Sequence, residues 1–216
     1  MSEQRVAPAD AGAVDGRLLR GARSRRAIAR HAVDVASVEG LTALSIGRLA
    51  GDLGISKSGV QALFGSKENL QLAAVEAARE TFLAEVLRPA RAAAPGVARL
   101  RALVERWIAY VESPLYPGGC FRVANLSEFD SRPGPVRDAL ARDTRDWQAT
   151  LAAELRRAAA AGETAADLDA ELVAFQIDAV LCAANTALRL GDDQVVDKVR
   201  RVLDALLSAP AAGAAR

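Results

Sequence analysis

The stretch SIGRLAGDLGISKSGVQALFGSKENL, residues 45–70, decides the fold prediction for this chain. We expect two short helices in it, over residues 45–52 and 56–64, because a serine suited to capping begins each one and a glycine follows each one. The tight turn around Gly54 gives the spacing of a helix-turn-helix. The apolar positions expected to pack in its core are Ile46, Leu49, Leu53, Ile55 and Val60. A helical hairpin that only packs against its neighbours would have the same spacing.

The second of these helices has an outer face of small and polar residues. Such a helix fits the major groove of B-DNA, which is about 12 Å wide. Lys57 and Gln61 lie four residues apart and so share a face; glutamine pairs with adenine, and lysine reaches guanine or phosphate. Serines and amides at the helix starts suit phosphates. The residues expected to contact DNA are Arg25, Ser45, Arg48, Ser56, Lys57, Ser58, Gly59, Gln61 and Lys67.

Charge is unevenly distributed along the 216 residues. The whole chain has 28 basic and 27 acidic residues, but residues 16–31 contain six arginines and no acid. A basic run of this kind often marks a nucleic-acid contact, although a solvated helix face would have the same composition. The two cysteines are far apart and have no metal-ligand spacing, so we expect no disulfide framework, no metal site and no cofactor.

The apolar periodicity is helical throughout, which predicts an all-α fold of about nine helices. A first helix is expected over residues 24–38, with Ser24 as its cap and Gly40 as its stop. We expect four segments: a flexible basic N-terminal arm (1–23), a helix-turn-helix DNA-binding domain (24–70), an effector-binding and dimerisation domain (71–208) and a frayed tail (209–216).

Charged residues interrupt every apolar stretch before the roughly 20 residues of a membrane helix, so no membrane association is expected. The first 16 residues contain three acids and lack the apolar core of a secretory signal. We therefore expect a cytoplasmic protein.

Residues 24–75, with IGRLA (46–50), LGISKSG (53–59) and FGSKENL (64–70), resemble the DNA-binding domain of TetR (tetracycline-repressor-like) transcriptional regulators. The segments YPGGCF (116–121) and EFDSRPGPVR (128–137) resemble the ligand-binding domain of one branch of that family. The resemblance implies a bacterial homodimer that binds a palindromic double-stranded DNA operator and responds to a small-molecule effector. Gln61 stands where the family commonly has a phosphate-binding Tyr, and Leu63 where the branch often has His; we expect Gln61 to read a base instead.

An effector pocket is expected among the middle helices, where most of the large aromatic side chains lie. Such sites are mostly apolar with few polar groups, which predicts a lipophilic effector, uncharged or cationic. The expected pocket residues are Trp107, Tyr110, Phe121, Asn125, Phe129, Trp147 and Phe175. The alternative is that these aromatics are plain core residues. Three roles are open for Glu128: a polar group of the pocket, a helix cap or a solvent-facing residue.

Dimerisation is expected through the last two long helices, packed with their mates as a four-helix bundle. The expected interface residues are Leu181, Leu188, Val199, Val202 and Leu206. A charge introduced at Leu181 or Val202 should therefore give monomers.

We expect no catalytic residue and no enzyme. The chain has a single histidine, His31, and none of the motifs HExxH, P-loop or GxSxG. Cys120, near a helix start, lacks a histidine partner in sequence. The predicted function is a repressor that an effector releases from its operator; the alternative is a dimeric DNA-binding regulator, repressor or activator, without an effector.

Overall fold

The computed structural model describes residues 11–113 and 115–208, with side chains from residue 19 onward. Within these ranges every regular element is a helix, which confirms the all-α prediction. The first ten residues of the predicted arm and the predicted frayed tail lie outside the described residues. The helices are α1 (Ala11–Glu39), α2 (Ile46–Asp52), α3 (Lys57–Phe64), α4 (Lys67–Phe82), α5 (Arg88–Ala90), α6 (Val97–Glu112), α7 (Phe121–Phe129), α8 (Pro135–Ala160), α9 (Ala170–Arg189) and α10 (Val195–Ser208).

Helix α1 is longer than the sequence pattern predicted. It begins at Ala11, and Ser24 lies inside it and does not cap it. A serine caps a helix only where the chain before it leaves helical geometry, and residues 11–23 contain no proline to force such a break. Residues 11–23 of the predicted flexible arm therefore form the first turns of α1.

The helix starts between α1 and α4 follow the predicted capping serines. The hydroxyls of Ser45, Ser56 and Ser66 each accept a hydrogen bond, 3.1 Å long, from the backbone N–H three residues later. Gly40 ends α1 with a φ of 83°, a left-handed conformation that favours glycine. The predicted short helices are therefore fixed by local hydrogen bonds.

The core of the helix-turn-helix is smaller than predicted. Leu49 and Val60 are fully buried and Ile46 is half-buried. Leu53 and Ile55 are 36% and 43% exposed, which corrects their assignment to the core. Both belong to the turn between α2 and α3, at the rim of the protomer. The apolar periodicity of the sequence continues through this turn, but the two side chains are not buried there.

Helix α4 continues through a π-helical segment, Leu83–Leu87, into α5 and forms one rod from residue 67 to 90. Pro89 lacks an N–H and its ring would collide with the carbonyl four residues earlier, so a widened turn before it is expected. This rod packs against α1 on one side and α8 on the other. It therefore joins the helix-turn-helix to the rest of the molecule.

Helix α9 is long and apolar enough to cross a membrane by length and composition, with a mean hydropathy of 1.3. In the fold, α9 packs between α8 and α10. Its Asp178 is buried and lies 2.6 Å from the guanidinium of Arg122. An ion pair of this kind is typical of a helix within a protein bundle.

Candidate nucleic-acid interface and ligand cavity

Helix α3 presents the small, polar face that the sequence predicted. It buries Val60 and Phe64 and exposes its opposite side, formed by Lys57, Ser58, Gly59, Gln61 and Ala62. A Cβ atom at Gly59 would lie 2.9 Å from the Ser56 hydroxyl that caps the helix. Glycine at this position therefore preserves the cap and leaves the face flat enough for close approach.

The polar side chain of Gln61 also stabilises its own helix. Its Nε2 donates to the carbonyl of Gly65, at the end of α3. Gly65 has a φ of 73°, so it turns the chain away from the helix. The Gln61 amide is thereby held at the exposed C-terminal end of α3.

Two of the predicted arginines are tied to neighbouring groups. Arg25 lies 4.5 Å above the Phe64 ring and donates to the carbonyl of Leu63, so it attaches α1 to the end of α3. Arg48 pairs with Glu39 and lies 3.6 Å from Asp52. Hydrogen bonding from Arg48 holds the pKa of Glu39 below its usual value. Arg48 is thus offset by two carboxylates, whereas Lys57 on α3 is in no ion pair with a described side chain.

The segment between α1 and α2, residues 40–42, is bound by side chains from the other half of the protein. We name it the junction segment. Asn125 of α7 accepts a hydrogen bond of 2.7 Å from the Leu41 N–H, and Glu128 accepts from both the N–H and the hydroxyl of Thr42 at 3.1 and 2.9 Å. Lys67 donates to the Thr42 carbonyl at 2.6 Å. Glu128 is therefore a binding partner of the junction segment, which settles the alternatives left by the sequence.

Close approach between the two halves also requires a glycine. The N–H of Gly118 donates to the Ser37 hydroxyl at 3.1 Å. A Cβ at Gly118 would lie 1.7 Å from the Ser37 carbonyl oxygen. The loop before α7 therefore packs directly on the backbone of α1.

A cavity of about 350 Å³ lies between α4, α7 and α8. Three of the predicted pocket residues, Tyr110, Phe121 and Trp147, line it. The sequence pattern did not indicate the opposite wall, which is formed by Val75, Ala78 and Phe82 of α4 and by Leu83 and Leu87 of the π-helical segment. Their apolar spacing along α4 was the available signal, but spacing alone does not distinguish a cavity wall from a packed core.

Charged side chains also line the cavity. The guanidinium of Arg79 pairs with the carboxylate of Asp143 at 2.5 Å and with that of Asp146 at 2.8 Å. Burial raises the pKa of Asp143 while Arg79 opposes the shift. The indole nitrogen of Trp147 is buried without a hydrogen-bond partner among the described residues.

The other predicted pocket residues lie outside the cavity lining. Trp107 and Phe129 are buried core side chains, which agrees with the alternative that these two aromatics are plain core residues. Asn125 is fully buried but binds the junction segment. Phe175 is 59% exposed on α9, because the helical period places it on the side opposite the bundle core. These four positions correct the predicted set.

The predicted dimer residues divide between the inside and the outside of the protomer. Leu181 and Val199 are buried within it, at 0% and 3% exposure, where α9 meets α10. Leu188 and Leu206 are half-buried, and Val202 is 37% exposed. The exposed apolar stripe of α9 consists instead of Leu172, Phe175, Ala179 and Ala183, and the exposed Leu190 follows directly after the helix. The outer face of α9 thus lies about half a helical turn from Leu181, since the exposed Ala179 and Ala183 are each two residues away from it.

The residues considered for catalysis have structural contacts. Burial raises the pKa of the Cys120 thiol, and burial raises the pKa of Cys182 to about 11. His31 Nε2 lies 3.1 Å from Asp52 on α2. Within the described part of the chain, no three His, Cys, Asp or Glu residues come close enough to hold a metal ion.

The fold is shared with solved transcriptional regulators. A TetR transcriptional regulator from Chloroflexus aurantiacus J-10-FL is 25% identical, with a TM-score of 0.75 over 86% of this chain and 94% of that chain. AibR, solved with isovaleryl coenzyme A and operator DNA, is 20% identical, with a TM-score of 0.68 over 85% and 97%. A transcriptional regulator from Saccharomonospora viridis, solved with choline, is 23% identical, with a TM-score of 0.66 over 85% and 94%.

No curated protein matches the sequence. The family model described as "Tetracyclin repressor-like, C-terminal domain" matches residues 96–203, half of the chain. That half contains the cavity residues of α6 to α8 and the outer stripe of α9, while the half before it carries the helix-turn-helix. The chain therefore belongs to the TetR family of transcriptional regulators, which are DNA-binding proteins and not enzymes.

Proposed function

We propose that this protein is a homodimeric repressor that a small lipophilic molecule releases from a palindromic DNA operator. The observation that carries the proposal is the position of α7. Its first residues, Phe121 and Arg122, line the cavity, and Asn125 and Glu128 further along it bind the junction segment before α2. A ligand that displaces the start of α7 would move the anchor of the helix-turn-helix.

Binding to DNA rests on the exposed face of α3 and its support. Lys57 supplies charge and Gln61 supplies an amide suited to an adenine edge. The ring of Phe64 and the guanidinium of Arg25 hold α1 against α3, so the face is presented by a rigid unit. AibR, which has a similar fold, was solved with operator DNA, and this supports the assignment of the same role here.

The proposal is tested by binding the purified protein to DNA from upstream of its own gene, at two salt concentrations, beside a scrambled duplex. We expect selective, salt-sensitive binding of two protomers per palindrome. Equal and weak binding to both duplexes would mean that this DNA is not the operator, and selection from a random DNA pool would follow. Failure of that selection as well would contradict the proposal.

Gln61→Ala should weaken operator binding by about tenfold or more, because loss of a bidentate base contact costs about 1–3 kcal/mol. Gln61→Ala also removes the hydrogen bond to the Gly65 carbonyl, so circular dichroism should verify that the protein remains folded; discrimination should then relax at one base pair in each half-site. Titration against a set of single-base operator variants measures this. The matched control is Gln194→Ala, an exposed glutamine just before α10. A uniform loss across all operator variants would contradict base reading by Gln61.

The cavity limits the chemistry of the effector. Its volume of about 350 Å³ suits a compact molecule, and its wall is largely apolar and aromatic. Because Arg79 is already paired with two carboxylates, the part of the cavity next to it suits an uncharged or cationic group.

Ala78→Phe should fill the cavity and abolish ligand binding while operator binding is retained. Ala78 is buried on the α4 wall, so an added ring projects into the empty volume. The measurement is a fluorescence titration with the uncharged dye Nile red, whose affinity should fall by about tenfold or more. Ala160→Phe, on the exposed end of α8, is the control. Equal dye binding by both variants would place the dye outside the cavity.

A further inference from the structure

Helix α1 extends past the domain that it supports. Followed from its C-terminal end, it contacts α2 through Glu39 and His31 and then the end of α3 through Arg25. At a rise of about 1.5 Å per residue, Arg20 lies roughly 7.5 Å and the first residue of α1 roughly 21 Å beyond Arg25. The first turns of α1 therefore project beyond α3, the proposed recognition helix.

The direction of this projection follows from the contacts at the other end. Ser37 and Gly40, at the C-terminal end of α1, meet the loop before α7 and the Glu128 carboxylate. The N-terminal end of α1 therefore points away from the ligand-binding half. It leaves the protomer on the side where α3 ends, next to the proposed DNA-binding face.

The projecting end carries unbalanced positive charge. Arg20 and Arg23 are exposed, and neither is in an ion pair with a described side chain. Arg26 and Arg30, further along, line a groove that also contains Glu76 and Glu80 of α4. The positive charge is thus offset beside α4, whereas residues 11–23 contain three arginines against a single acid, Asp15.

We propose that the N-terminal extension of α1, residues 11–23, is a second DNA contact that binds phosphates of the duplex flanking each operator half-site. The inference rests on the proposed function, because the position of the flanking DNA follows from the binding of α3 to the operator. Charge complementarity and continuity with the α3 face favour duplex DNA as the occupant. Contacts of this kind add affinity without reading sequence.

The first experiment measures how operator affinity depends on salt for the Arg20→Ala/Arg23→Ala double variant. Each lost phosphate contact lowers the slope of log K against log salt by about 0.9, so loss from both protomers should lower it by about 2 to 4. Alanine favours helix, so α1 should remain formed, which circular dichroism verifies. The control is Arg145→Ala/Arg156→Ala, which removes two exposed arginines from α8.

The second experiment compares a duplex that ends at the palindrome with one extended on both sides. The wild-type protein should bind the extended duplex about tenfold more tightly or better, and the double variant should lose this preference. An unchanged salt slope, or the same preference for the extended duplex in both proteins, would overturn the inference. Either result is also expected if the arginines bind an acidic protein or a membrane surface instead of DNA.

The two proposals fail in different ways. If the wild-type protein selects no operator, the proposed function fails, yet the salt slope on a scrambled duplex still compares the wild-type protein with the double variant. If operator selection persists and the slopes agree, only the second contact is wrong. Gln61→Ala separates the two surfaces further, since it should change base discrimination and leave the slope nearly unchanged.

Discussion

Phe175→Glu should convert the protein to monomers and weaken operator binding by at least about 100-fold. Phe175 is 59% exposed at the centre of an apolar stripe with Leu172 and Ala179 on α9. In a symmetric interface each substitution appears twice, and a buried carboxylate without a partner costs several kcal/mol per copy. A monomer reads one half-site only, so it loses the effective concentration that links the two recognition helices.

A sizing column and an operator titration measure the two effects on the same sample. The matched control is Leu115→Glu, which introduces the same charge at an exposed leucine in the loop before α7. The control should remain dimeric and bind as the wild-type protein does. A dimeric Phe175→Glu protein would contradict the assignment of this stripe to the dimer interface.

The choice of residue decides what this experiment reports. Leu181 was predicted from the sequence as an interface residue, but it is fully buried between α9 and α10. A charge there should unfold the protomer, because it would be buried inside one chain. Loss of DNA binding by Leu181→Glu would therefore say nothing about the dimer.

The helix-turn-helix was predictable because its signals are local. A serine hydroxyl that accepts a hydrogen bond from the backbone N–H three residues later fixes each helix start. Gly40 and Gly65, each with a positive φ, end α1 and α3. These interactions act within one turn, so they can be recognised from the sequence alone. The exception was Ser24, whose preceding residues continue the helix.

The cavity and the interface were only partly predictable, because helical periodicity identifies an apolar face but not what covers it. Phe175 and Leu181 lie on α9, yet one faces outward and the other faces α10. Tyr110, Phe121 and Trp147 meet α4 across the cavity through contacts between residues distant in sequence. Asn125 was predicted as a pocket group because its amide is polar, whereas its partner, the Leu41 N–H, is 84 residues away.

Asn125→Leu should lower the free energy of unfolding by about 2–3 kcal/mol and weaken the link between the cavity and the helix-turn-helix. The side chain of Asn125 is fully buried; its oxygen accepts from the Leu41 N–H, and its nitrogen donates to the carbonyls of Ala36 and Phe121. Leucine has a similar shape but no acceptor, so the buried Leu41 N–H is left unpaired, at a cost of about 1–3 kcal/mol in addition to the other lost bonds.

Denaturant unfolding measures the stability loss, with Glu128→Gln as the matched control. Glutamine at position 128 retains an oxygen for the Thr42 N–H, so its cost should stay below about 1 kcal/mol. Both variants should remain dimeric, because neither residue lies on the α9 stripe. Equal stability of Asn125→Leu and the wild-type protein would mean that the junction segment finds another partner and that α7 does not anchor it.

The functional part of this prediction concerns the response to a ligand. In the wild-type protein, Nile red bound in the cavity should lower operator affinity, because the start of α7 lines that cavity and its middle binds the junction segment. In Asn125→Leu the dye should still bind, yet its effect on operator affinity should shrink by about threefold or more, since two coupled sites must share an element that both bias. An undiminished response would place the coupling in α4, whose Gln71 donates to the Leu41 carbonyl at 2.8 Å and whose residues form the opposite wall of the cavity. The two routes differ in this one measurement because α7 and α4 hold opposite polar groups of the same residue, Leu41.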